Sequence, residues 1–263
     1  MISEIKRRAK DNHARIGIGV GEISEEIIKS AERACEYAHV VLVGDEKLIR
    51  QTGTELEIIH STVPQNTLVE LLVEGRIDGA VRGNLSATKT LAVLKKTFGT
   101  ILRMALLETA YGKAFFLAPV GVDEGKSVED KLELIKKGVR YIQHIDIKTK
   151  VGVLSGGRFE DKGRDDRVDT TLVEAELVTE AAKKAGIDAE NYSILIEDAI
   201  KHANFIIAPD GISGNLIFRT LVFLGGGCGY GAPILIDKVF VDTSRGKKDY
   251  SKAIMFASAL KND

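Results

Sequence analysis

Apolar and polar positions follow two rhythms along this chain: short unbroken apolar runs, and longer stretches with apolar residues three or four apart. The first marks buried strands and the second amphipathic helices. Residues 15–20 form an apolar run that stops at Gly21-Glu22. Across 22–38, Ile23, Ile27, Ala31, Ala34 and Ala38 share one helical face, with glutamates early and Lys29 and Arg33 later, as the helix dipole favours. Residues 40–43 follow and stop at Gly44-Asp45. Strand, helix and strand in so short a stretch predict a βαβ unit with parallel strands. Runs at 56–60 and 77–81 flank a helix at 66–74, and another helix covers 89–98. The runs 101–107 and 113–119 read as an antiparallel pair turning at Tyr111-Gly112. Ser127 with Asp130 predicts a capping box that opens a helix over 127–137. A new series begins at 151–155, with a helix at 170–185, a strand at 193–196, a short helix at 198–203 and a strand at 205–208. The helical pattern Leu216, Phe218, Leu221, Val222, Leu224 stops at Gly225-Gly226-Gly227, and a strand at 234–241 and a helix at 249–260 complete the chain. Parallel α/β layers follow, with a domain boundary in the charged segment 146–150.

With 263 residues, 44% of them apolar, the chain can bury a large core. A formal net charge of -1 gives no overall field for nucleic acid or an anionic membrane, so Lys6-Arg7-Arg8 reads as a solvated helix face. Cys35 and Cys228 lie far apart, which fits a reducing cytoplasm. The first ten residues lack the apolar core of a secretory signal, no run is long enough to span a bilayer, and the five histidines show no ligand spacing for a metal. A soluble cytoplasmic protein is expected. Gly17, Gly19 and Gly21 suggest a dinucleotide fingerprint, but they sit within the first strand and the sixth position of the motif is Glu22.

Candidate chemistry concentrates in loops that follow strands, where open α/β sheets bind ligands. After 77–81 come Arg82, Gly83, Ser86 and Thr88, opening a helix. A helix N-terminus offers free N–H groups and partial positive charge, hydroxyls and a guanidinium add donors, and phosphate suits such a site. The plainer alternative is that Ser86 only caps the helix and Arg82 pairs with a nearby carboxylate. Asp210 and Asn215 follow the strand at 205–208, and Ser244 and Arg245 follow the strand at 234–241. Asp210 and Asp249 are candidate general bases, though each is equally a turn or cap residue. The charge-dense loop 158–169 is either a lid over an anionic substrate or a solvated excursion.

The order of these pieces resembles the phosphate acetyl- and butyryl-transferase superfamily, which shares its fold with isocitrate and isopropylmalate dehydrogenases. The matching pieces are Val40-Val41-Leu42-Val43-Gly44, the run 75–83 with Ser86-Ala87-Thr88 behind it, Val151-Gly152-Val153-Leu154-Ser155, Gly214-Asn215-Leu216-Ile217 and Asp242-Thr243-Ser244-Arg245-Gly246. The chain is most similar to a divergent branch found in methane-producing archaea, called methanogenesis marker protein 4 or methyltransferase-related subunit X. It departs from the acyltransferases in a rewritten segment, Ile194-Leu195-Ile196-Glu197-Asp198-Ala199-Ile200, and in two further places. Gly19-Val20-Gly21-Glu22 replaces a Pro-Glu start, and Ser251 stands where they carry an Asp, with Asp249 two residues earlier.

The resemblance implies two three-layer α/β/α domains with a central cleft, residues 1–147 plus 241–263 and residues 148–240, assembled as a homodimer. It also implies a phosphorylated small molecule or a substrate of the coenzyme A type as ligand. Arg245 would clamp phosphate, Ser244 would bond the developing oxyanion, Arg82, Ser86 and Thr88 would hold other phosphate oxygens, and Asn215 would orient the substrate. Two further readings stay open: a methyl-transfer subunit acting with a methyltransferase partner, and a non-catalytic anion-binding protein.

Overall fold

The computed structural model describes residues 1–244 and 249–261. The chain divides into two compact units, residues 1–101 with 230–263 and residues 102–229.

Unit 1 begins with α1 (Ile2–Asn12), β1 (Arg15–Gly19), α2 (Glu25–Ala34), β2 (His39–Gly44), α3 (Glu46–Arg50) and β3 (Glu57–His60). It continues with α4 (Pro64–Val73), β4 (Gly79–Val81) and α5 (Ala87–Phe98). Unit 2 holds β5 (Ala105–Glu108), β6 (Ala114–Ala118), α6 (Val128–Gln143), β7 (Val151–Val153), α7 (Asp166–Lys184), β8 (Ala189–Asn191), α8 (Ile196–His202), β9 (Phe205–Ile207) and α9 (Gly211–Phe223). The chain then returns to unit 1 through β10 (Cys228–Pro233), β11 (Val239–Asp242) and α10 (Ser251–Ala259). The boundary read from the sequence at 147/148 lies inside unit 2, between α6 and β7.

In unit 1 the strands run in the order β3-β2-β1-β4-β11-β10. β1, β2, β3, β4 and β11 are parallel, and β10 pairs antiparallel with β11 through Ala232 opposite Asp242. The space above Gly17 is filled by Leu68 of α4 and by Ile77, so this glycine admits the helix; Ile16 and Ile18 point to the opposite face. α4 and α5 pack together on the first face, and α1, α2 and α10 form the layer on the second. Leu68, Leu72, Ile77, Ala80, Leu94 and Phe240 share one buried cluster.

Unit 2 orders its strands β5-β6-β9-β7-β8, with β5 antiparallel to β6 and the rest parallel. Gly138 of α6 lies against the Phe205 ring on one face. On the other, Ile206 and Ala203, which ends α8, approach Gly152, and Gly214 of α9 approaches Ala208. Helices therefore cover both faces of each sheet, which makes each unit three-layered.

The capping box of α6 forms as expected: Ser127 accepts from the Asp130 N–H at 3.1 Å, and Asp130 accepts from the Ser127 N–H at 3.2 Å. Two expected strands lie elsewhere. The strand expected at 193–196 is β8, which ends two residues before that span at Asn191, while Ser193 turns with φ 53° and Ile196 already begins α8. β8 pairs with β7 alone and carries an exposed Glu190, so its sequence lacks an apolar run. The run 234–241 is a hairpin, because the Ile234 N–H bonds the Phe240 carbonyl and only the run's last residues belong to a strand. The glycine-rich stop after α9 is observed, and Cys228 to Pro233 beyond it form β10.

Candidate functional site

β1, β2, β4 and β11 are parallel, so their carboxyl ends share one edge of the unit 1 sheet. β1 passes through α2 to β2 on one side, while β4 on its other side is reached only by returning from β3. Strand order reverses between β1 and β4, and such a reversal opens a crevice beyond the carboxyl ends. The loops that meet there are 20–24, 82–86 and 243–244.

Three sets of hydrogen bonds hold these loops together. Asn84 accepts from the Gly21 N–H at 2.7 Å and donates to the Glu22 carbonyl at 2.6 Å. The Thr243 hydroxyl donates to the Gly83 carbonyl at 2.8 Å. Arg82, 3% exposed, forms an ion pair with Asp242 and donates to the Leu85 carbonyl, while Asp242 also accepts from the Thr243 N–H at 2.9 Å. Gly83 sits at φ +63°, and a Cβ there would lie 2.0 Å from the Gly19 carbonyl oxygen, so only glycine lets this loop cross the end of β1. Ser86 caps α5 by accepting from the Lys89 N–H at 3.5 Å, and Thr88 is exposed in the first turn.

Arg82 thus makes its strong contacts within the protein and acts on the loop's shape. Thr88, exposed in the first turn of α5, adds a hydroxyl at this edge. Ser244 is half-buried, with its carbonyl accepting from the Tyr250 hydroxyl at 3.4 Å. Arg245 and Gly246 lie outside the described residues. Asp249 accepts from the Ser251 N–H at 2.9 Å and pairs with Arg33 at 3.2 Å. Burial works to raise the Asp249 pKa, but the Ser251 hydrogen bonds and Arg33 outweigh it and hold the carboxyl below the usual range.

Asp210 and Asn215 belong to unit 2. Asp210 caps α9 by accepting from the Ser213 N–H at 2.7 Å and lies 3.6 Å from the Arg167 guanidinium. Burial again opposes the shift, yet the Ser213 bonds and Arg167 keep its pKa below the ordinary value. Asn215 donates to the Val120 carbonyl at 2.9 Å. The first turn of α9 is seated directly on the loop after β6: a Cβ at Gly211 would lie 1.7 Å from the Gly121 carbonyl, and one at Gly214 1.9 Å from the Pro119 carbonyl. This loop is held by Glu124, 6% exposed, which accepts from Arg103 Nε at 2.6 Å and from the Gly121 N–H at 3.3 Å.

The structure therefore groups Arg82, Gly83, Ser86, Thr88 and Ser244 in unit 1 and fixes Asp210 and Asn215 as anchors of α9 in unit 2. Sequence reasoning assigned no individual role to Asn84, Asp242 or Thr243 and did not pair Arg103 with Glu124. The signal for Asn84 was a side-chain amide directly after a glycine in a strand-ending loop; Arg103 and Glu124 lie too far apart in sequence to suggest pairing. Among the described residues no group of three His, Cys, Asp or Glu side chains is arranged to hold a metal ion, and no described helix is long and apolar enough to cross a membrane.

No family model matches the chain. It is 53% identical over 258 residues to a protein of Methanosarcina barkeri named "Putative methyltransferase mtx subunit X", spanning 96% of this chain and 95% of that one. It is 38% identical to an uncharacterized methyltransferase of Methanocaldococcus jannaschii over 91% of this chain and 95% of that one. Among solved structures, a branched-chain phosphotransacylase from Enterococcus faecalis matches with TM-score 0.73 at 19% identity, covering 93% of this chain and 99% of that one. A 4-hydroxythreonine-4-phosphate dehydrogenase from Klebsiella pneumoniae matches with TM-score 0.68 at 12% identity, covering 95% and 99%. The fold is that of the phosphotransacylases and these dehydrogenases.

Proposed function

We propose, because the chain belongs to the family of the mtx subunit X proteins, that it binds a phosphate-bearing small molecule at the carboxyl edge of the unit 1 sheet. The observation that carries this reading is the set of three loops at the strand-order reversal, fixed to one another by Asn84, Thr243 and the Arg82–Asp242 pair. A preformed loop set with a helix N-terminus opening into it binds an oxyanion without first paying to order its donors. Ser86, Thr88 and the first N–H groups of α5 would contact phosphate oxygens, Gly83 would let the backbone approach, and Arg82 would keep the loop in register. Ser244 and Arg245 complete the site in this reading, Arg245 as the phosphate clamp on the strength of its sequence motif. Asp210 and Asn215 would serve by fixing the α9 turn within unit 2.

The reaction class that the phosphotransacylase fold supports is acyl transfer. A thiolate, with coenzyme A as the natural carrier, would attack the carbonyl carbon of an acyl phosphate; the carbon–oxygen bond to phosphate would break, and inorganic phosphate would leave. Asp249 and Asp210, both held below the ordinary carboxylate range, are weak bases, and they suit anchoring better than proton abstraction from the thiol. The test is acyl-CoA formation from coenzyme A with acetyl, propionyl and butyryl phosphate, with Arg245→Ala as control. Turnover that collapses in the variant supports acyl transfer; folded protein without turnover on any of the three would sink it.

The names of the relatives favour a second reading, a binding subunit that works with a methyltransferase partner. Phosphate-ester binding without acyl transfer would support it. A homodimer is part of either reading. α9 supports this with an apolar face in which Ile212, Leu216 and Phe223 are 54%, 60% and 45% exposed.

A further inference from the structure

At the amino ends of the unit 2 strands lies a second concentration of charge. A cavity of about 320 Å³ opens where β6, β7, β8 and β9 begin, and Lys113, Lys148, Lys150, Lys201 and His202 line it, with Asp188 as the one carboxylate in its wall. Two of these cations are neutralised from outside the cavity: Lys150 pairs with Glu190 at 3.0 Å and Lys201 with Asp198 at 2.8 Å. Among the described residues, Lys113 and Lys148 have no ion-pair partner. They come from separate segments, the β5–β6 hairpin and the approach to β7, so no single helix end or charge run explains their meeting.

The floor of the cavity is rigid. Asn204 donates from Nδ2 to the Lys148 carbonyl at 2.8 Å, and its Oδ1 accepts from the Lys150 N–H at 2.9 Å. The backbone N–H groups of Asn204 and Phe205 both bond the Lys150 carbonyl. The segment that carries Lys148 is thereby fixed at its base, while the ammonium groups remain on flexible stems. Aromatic surface for a nucleobase is scarce, because the His202 ring already stacks on Tyr192, with centroids 6.4 Å apart.

We propose that this cavity is a binding site for the diphosphate group of a small metabolite, distinct from the carboxyl-edge site of unit 1. Ammonium groups are point charges that adapt to an oxyanion of several orientations, and two without an ion-pair partner in the lining of one cavity match an anion with two phosphoryl groups better than a single carboxylate. The volume falls in the range of small-molecule pockets. The lack of free aromatic faces disfavours single-stranded nucleic acid, which stacks its bases.

The test is a titration of the full-length protein with inorganic pyrophosphate, read both by calorimetry and by backbone and side-chain amide NMR shifts. Saturable binding is expected, with the largest shifts at the Asn204 side-chain amide and at residues 148–150, weakening as salt rises. The surface double variant Lys113→Gln/Lys148→Gln should bind about tenfold or more weakly, since each lysine supplies a hydrogen bond from a charged donor. Ser86→Asp, in unit 1, should leave these shifts unchanged. Absence of saturable binding, an undiminished affinity in the double variant, or shifts confined to residues 82–88 would each overturn the proposal.

Discussion

Deleting the Arg82 guanidinium would remove a close charge partner from the buried carboxylate of Asp242, 8% exposed. Arg82→Met should therefore lower unfolding stability by about 3–5 kcal/mol, and the double variant Arg82→Met/Asp242→Leu should recover part of that loss in urea melts. A different case is Tyr141, whose buried hydroxyl has no hydrogen-bond partner among the described residues and whose ionisation burial strongly opposes. Tyr141→Phe removes only that orphaned group and should raise stability by about 1 kcal/mol. For Asp210 the folded pKa lies below the unfolded one, because Ser213 and Arg167 outweigh burial. Its contribution is complete above the ordinary carboxylate value of about 4 and is lost as the pH falls through the folded value. Asp210→Asn keeps an efficient cap, so an acid titration of stability below about pH 4 should be shallower in this variant than in the parent. These residues also mark a limit of reading the sequence. That Arg82 pairs with a carboxylate was one of two alternatives visible in the chain, but its partner, 160 positions away, was not.

Elements show the same division between local and distant causes. The α6 cap was legible because Ser127 and Asp130 act within one turn, and Ser127→Ala should cost about 1 kcal/mol. The parallel strands of unit 1 were legible because burial on both faces makes them continuous apolar runs. β8, at the sheet margin, has no such run, and its place was taken in the reading by the apolar Ile194-Leu195-Ile196, of which Ile194 is 48% exposed. The Gly214-Asn215 pair has a packing cause: Gly214 touches the Pro119 carbonyl and Asn215 bonds that of Val120. Gly214→Ala should push α9 off the β6 loop and lower the thermal midpoint. An unchanged midpoint would mean that the close approach is not needed.

At the scale of the whole molecule, membership in the mtx subunit X family and the phosphotransacylase fold leave the reaction open, since a fold hosts many chemistries. Assembly has its own test. If the apolar face of α9 is covered by a second copy, Leu216→Glu should shift the protein from dimer to monomer in light scattering, with its fold intact by circular dichroism. The central claim is that the carboxyl edge of the unit 1 sheet holds a phosphate group, and Ser86→Asp addresses it most directly. Aspartate caps α5 as well as serine does, so the helix is kept, but it sets a negative charge where phosphate would bind. Calorimetric titration with acetyl phosphate should show saturable binding to the parent protein and at least about tenfold weaker binding to Ser86→Asp at an unchanged thermal midpoint. Equal affinity in the two proteins, or no saturable binding to the parent, would refute the claim.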